Sequence, residues 1–139
     1  MKQLWLFLSC ILPLLGQPAL HVDLGGEWRQ SEGDNPAFAQ PAFDDRAWRR
    51  IQLPAIVEPP LGITWLRRQV ILPEWADASQ LTLTLGTFAE TYEVYVNGQK
   101  VRELGHLGEL HRNKYLPRPS TMAIPAGLAS PGRPLTLAL

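Results

Sequence analysis

Carboxylates, histidines and hydroxyls are the side chains of this sequence that could do acid–base or nucleophilic chemistry, and their spacing assembles no catalytic group. Paired carboxyls that cleave a bond by acid–base catalysis stand about 5–10 Å apart across it. Asp44 and Asp45 are instead adjacent, in a turn signature that suits capping. The remaining acids are scattered. His21, His106 and His111 lack metal-ligand spacing, and Ser9, Ser31, Ser79, Ser120 and Ser130 occupy no nucleophile-elbow motif. Gly25-Gly26 and Gly105 to Gly108 do not form a phosphate loop leading into a helix. Aromatic side chains are the remaining candidates. Trp65 and Tyr95 fall on the strand faces away from the leucines, and Trp75 lies in a turn. Such rings either stack on the apolar face of a sugar or pack under loops or a neighbouring domain. The second candidate is the long loop carrying His106, His111, Arg112, Tyr115 and Arg118. Its cations suit an acidic sugar or a partner domain, or are simply solvated. Functional residues concentrate on long loops of this kind.

These residues need a scaffold, and the scaffold reads as β. Glu90 to Leu104 (ETYEVYVNGQKVREL) alternates apolar and polar residues around Asn97-Gly98. Asn-Gly between such runs signals a type I′ hairpin, because both central residues take positive φ. A two-residue loop pairs Val96 with Gln99, Tyr95 with Lys100 and Val94 with Val101, placing the two valines together on the buried face. A lone hairpin is marginal in water, so larger sheets must surround it. Ile63 to Leu72 reads as a strand ended by Pro73, with Leu66, Arg68, Val70 and Leu72 on one face and Trp65, Arg67, Gln69 and Ile71 on the other. Arg68 on the more apolar face either needs a carboxylate, for which Glu93, Asp44 and Asp45 are candidates, or lies at the rim. Leu81 to Leu85 and Leu135 to Leu139 alternate cleanly; Ile51 to Leu53 and Met122 to Ile124 are shorter strands. Trp28 begins a first strand. Ser31 to Pro41 reads as a surface loop, and one helical turn capped by Asp44 or Asp45 is flanked by Phe43 and Trp48. Short strands punctuated by turn signals predict an all-β antiparallel sandwich.

The chain has 139 residues, 45% of them apolar, with 13 prolines, 11 glycines and zero formal net charge. That length suggests one domain, and the charge balance gives no footprint for nucleic acid. Lys2, the apolar run Leu4 to Leu15 and the small residues of 16–19 have the layout of a secretory signal peptide. Residues 1–19 are therefore expected to be a leader, and 20–139 a periplasmic or extracellular domain. Cys10 is the only cysteine, so the mature domain would have no disulfide. Cleavage leaves 12 of the 13 basic side chains against 13 acidic ones, a near-neutral surface. The last strand stops on an inward leucine, so the parent protein is expected to continue past Leu139.

Five pieces now fall in order: Asp23-Leu24-Gly25-Gly26-Glu27-Trp28, Phe43-Asp44-Asp45 with Trp48, Leu53-Pro54, Trp65 to Arg68 with Leu72-Pro73, and Glu93 to Gly98. The series resembles the jelly-roll, galactose-binding-like domain at the N-terminus of family 2 glycoside hydrolases, across nearly all of 20–139. Residues 105–121 lack the Gly-Gly and Pro-Phe that usually follow the hairpin there. With 33–36 and 41–45, they look more like the extracytoplasmic sensor domains that precede a phosphatase, histidine kinase or cyclase in bacterial membrane signalling proteins. The resemblance implies a non-catalytic domain whose parent carries any chemistry. The first expectation is a sensing domain, with membrane tethering through the rest of the parent; the alternative is the accessory sugar-binding domain of a secreted family 2 enzyme. A spacer that touches only its neighbouring domains is a third. The ligand would be a carbohydrate or another small molecule, bound by Trp65, Tyr95, Trp75, Arg112, Tyr115 and Arg118. Trp28, Asp44, Asp45, Trp48, Arg68, Asn97 and Gly98 would be structural. No cofactor is expected; the fold class accommodates a structural calcium, but no ligand cluster supports one.

Overall fold

The computed structural model describes residues 20–55, 62–87, 91–105 and 119–139. Among these residues eight strands form: β1 (Gly26–Glu32), β2 (Arg49–Leu53), β3 (Thr64–Ile71), β4 (Thr82–Leu85), β5 (Tyr92–Val96), β6 (Gln99–Leu104), β7 (Ser120–Ala123) and β8 (Pro134–Ala138). Six build one antiparallel sheet in the order β2-β1-β3-β8-β5-β6, and β4 pairs with β7 in a second. The alternating leucines explain the layering. Leu83 and Leu85 of β4 and Met122 of β7 share a buried cluster with Trp28, Leu66, Val94, Val96, Leu135 and Leu137 of the larger sheet. The threonines of β4 point away from it, and Thr84 bonds Thr121 across the strands at 2.9 Å. Burying this face supplies the main drive to fold, since apolar area removed from water stabilises in proportion to its extent. The expected antiparallel β-sandwich is what forms.

The hairpin turn is as the sequence predicts, with φ 48° at Asn97 and 84° at Gly98. Its register is not. Val96 pairs with Gln99 and Tyr95 with Lys100, but a bulge follows and Val94 faces Arg102 instead of Val101. Val101 is the extra residue, half-buried against the core. Asn97 also does more than turn the chain. Its side-chain amide donates to the Leu128 carbonyl at 2.6 Å, and its carbonyl oxygen accepts from the Thr136 amide at 2.8 Å. The hairpin is thereby tied to β8, the strand beside it.

Two loop expectations change. β1 runs on to Glu32, and Pro36–Ala39 forms a 3-10 turn capped by Asn35, whose side chain accepts from the Ala37 amide at 3.0 Å. Apolar Phe38 and Ala39 press this segment onto the outer face of the larger sheet, so Ser31 to Pro41 is not simply a surface loop. Asp44 and Asp45 cap no helical turn. Asp44 accepts from the Arg46 amide at 3.1 Å in a tight turn, and the Trp48 amide bonds the Asp45 carbonyl at 2.9 Å.

Candidate functional site

The outer face of the six-stranded sheet brings together Trp65, Tyr95, Trp48 and Asp45 of the residues singled out by the sequence. A segment from Asn35 to Trp48 lies across it and makes a second apolar cluster of Ala39, Trp65 and Ala138, flanked by Phe38, Trp48, Ile63 and Tyr95. The rings meet edge to face: Phe38 stands 4.9 Å from Phe43, 4.9 Å from Trp48 and 5.8 Å from Trp65. Such pairs add to what area burial alone supplies. Trp65 is therefore only 5% exposed, and Tyr95 lies 5.5 Å from it. The prospect of Trp65 stacking on a sugar is corrected: the segment above it already packs on the ring. Trp75 does stand free, 57% exposed, in the turn after β3. Arg112, Tyr115 and Arg118 lie outside the described residues.

At the centre of this face is Arg67, 1% exposed. Its Nε donates to Asp45 at 2.9 Å, and its other nitrogens donate to the carbonyls of Phe38, Gln40 and Phe43. The guanidinium carbon also sits 5.7 Å from the Phe43 ring and 5.9 Å from that of Trp48. A buried charge is tolerated only when paired and hydrogen-bonded, and this one is both. Of its two readings Arg68 takes the rim: it faces the leucine side half-buried, meets no carboxylate among the described residues, and its guanidinium donates to the Leu24 and Gly25 carbonyls at 2.8 and 2.6 Å. The buried cation is its neighbour Arg67. Phe38, Phe43 and Trp48, three aromatics within eleven residues, were the available signal that the other face of β3 is covered.

Toward β6 the same face is polar. The Tyr95 hydroxyl donates to Glu93, and the Lys100 ammonium bridges Glu93 at 3.0 Å and Glu103 at 2.6 Å. Burial, aided by Glu93, pushes the Tyr95 phenol up to about 12. Hydrogen bonds to Glu103 and Glu93 hold the Lys100 ammonium above its ordinary value. On the other side, Arg46 draws the Asp44 carboxyl down to about 2. Glu93 and Glu103 are spent on one lysine and directly opposed in the ladder, so they are not a carboxyl pair across an open cleft. Among the described residues no group of three or more histidines, cysteines or acids could hold a metal ion, and no helix is long and apolar enough to cross a membrane.

The arrangement of strands and loops is shared with known structures. β-Glucuronidase 2 of Bacteroides uniformis superposes with a TM-score of 0.65 and 27% identity, over 83% of this chain and 14% of that one. A family 2 glycosyl hydrolase of Bacteroides cellulosilyticus matches with a TM-score of 0.62 at 18% identity, over 83% of this chain and 16% of its own. A Faecalibacterium prausnitzii β-glucuronidase matches at 0.60 and 20%, over 87% and 21%. The fold is a jelly roll of the kind carried by family 2 glycoside hydrolases. The chain spans 14–21% of the length of these proteins. No protein-family model and no curated protein matches it. Within this jelly roll, Trp28, Asp45, Trp48, Asn97 and Gly98 sit in packing or turn positions, whereas Asp44 pairs with Arg46 at the surface.

Proposed function

We propose that this chain is the non-catalytic jelly-roll domain of a family 2 glycoside hydrolase, with a β-glucuronidase-like parent. The observation that carries the reading is the match to B. uniformis β-glucuronidase 2, at 27% identity across 83% of the chain. The structure supports it from another side, because Asp44, Asp45, Glu93 and Glu103 of the outer face are committed to Arg46, Arg67 and Lys100. In such a parent the two catalytic carboxyls belong to another domain, and this one supplies packing and contacts to carbohydrate or to neighbouring domains. The expectation of a sensing domain in a membrane signalling protein gains no support from these comparisons. Secretion through the leader of residues 1–19 belongs to the proposal; N-terminal sequencing of the secreted protein should begin between Gln17 and His21.

The sequence of the native polypeptide past Leu139 tests the reading. A second sandwich followed by an alternating strand–helix barrel carrying two glutamates is expected. Apolar runs of about 20 residues leading to a signalling module would overturn it.

A further inference from the structure

Among the described residues, the outer face carries one cation that its surroundings leave unanswered. Arg50 of β2, Arg29 of β1 and Arg67 of β3 lie directly opposite one another in the ladder, so their side chains leave the sheet on the same side. Like charges placed opposite across strands repel. Arg67 is relieved by Asp45, and farther along the face Arg46 has Asp44 and Lys100 has Glu93 and Glu103. Arg50 has Glu27, but only at 3.6 Å and with both side chains largely in water. Arg29 is half-buried and makes no hydrogen bond or ion pair with the described residues. A half-buried guanidinium without an acceptor beside a second cation is an arrangement that an oxyanion improves. It satisfies the unused donors and screens the repulsion together.

We propose that Arg29 and Arg50 form a binding site for the carboxylate of a sugar acid. Cross-strand neighbours stand about 5 Å apart at Cβ, which lets two planar guanidinium forks converge on one carboxylate. Ser31 and Gln52 alternate onto the same side of β1 and β2 and can meet the hydroxyls of the ring. Glu27, the one acid of this patch among the described residues, holds Arg50 loosely enough to release it to a ligand. The choice of a sugar acid rests on the glucuronidase-like parent proposed above; the site itself rests on the ladder.

Titration of the full chain at constant ionic strength with sodium glucuronate, glucose or sodium acetate tests this, following the arginine Nε–Hε resonances by NMR. Glucuronate should shift the Arg29 and Arg50 signals along a saturating curve, glucose should leave them in place, and acetate should bind about tenfold more weakly. Arg29→Gln should abolish the response at Arg50 and unfold at the same or a higher temperature, because it removes a like-charge contact. Arginine signals unmoved by glucuronate overturn the site. Equal shifts with acetate or chloride overturn its selection of a sugar acid, and so does an R29Q chain that binds as well as the native one. All these outcomes are read on the domain alone, so a glycosidase-like sequence after Leu139 can stand while the site fails, and the reverse.

Discussion

Replacing Asp45 by asparagine removes the only carboxylate that, among the described residues, meets a guanidinium 1% exposed, while keeping the shape of the side chain. Breaking a buried pair from one side costs about 3–5 kcal/mol, because the surviving charge is left uncompensated. Here three carbonyls and two ring faces still attend Arg67, and Asp45 is itself 23% exposed, so the lower end applies, about 3 kcal/mol. Urea unfolding of a domain this size has a slope of about 1–3 kcal/mol per molar, so the midpoint should fall by about 1–3 M. Arg67→Met should also destabilise, by stranding the carbonyls of Phe38, Gln40 and Phe43. The double variant should cost clearly less than the two single costs added, since neither charge is then left alone. Asp44→Asn is the control: its partner Arg46 is 87% exposed, and the midpoint should not move. An Asp45→Asn stability within about 0.5 kcal/mol of the native value would refute the buried-pair argument.

Three further outcomes follow from the same structure. Gly98→Val should destabilise by about 1–3 kcal/mol in urea unfolding, because φ is 84° there and the new Cβ would crowd the Gln40 side chain. Trp65→Ala should cost about 3–5 kcal/mol by leaving a hole beneath Phe38, whereas Trp75→Ala at its exposed turn should stay within about 0.5 kcal/mol. The raised Tyr95 phenol gives a pH dependence at the alkaline end. Below its ordinary value of 10.0 the hydroxyl is protonated whether the chain is folded or not; between there and about 12 only the unfolded chain ionises, so stability should fall across that window. Urea midpoints measured on either side of pH 10 should show the fall, and Tyr95→Phe should remove this tyrosine's part of it.

What the sequence reveals here is whatever depends on near neighbours. Asn97-Gly98 dictates its own backbone, and the leucine–threonine alternation of β4 names its buried face without reference to anything distant. The slip at Val94 was hidden, because a bulge is chosen by the twist of two paired strands and leaves no fixed residue signature. Alternation along β3 sorted its side chains onto two faces correctly. It does not say which segment roofs the second face; Asn35 to Trp48, distant in the chain, does, so Trp65 packs under a loop, the second of its two readings, and Arg67 is buried. The same distance hid the unpaired state of Arg29, which exists only because β2 and β3 bring arginines to either side of it.

The central claim, a non-catalytic domain of a family 2 glycoside hydrolase, is tested most directly by one paired assay. The native polypeptide, captured with an antibody raised against residues 20–139, and the purified chain are given the same aryl β-glucuronide. The account predicts hydrolysis by the native polypeptide and none by the chain alone. Turnover by the chain that disappears on changing one of its own acids would contradict it, as would a native polypeptide that hydrolyses no aryl glycoside.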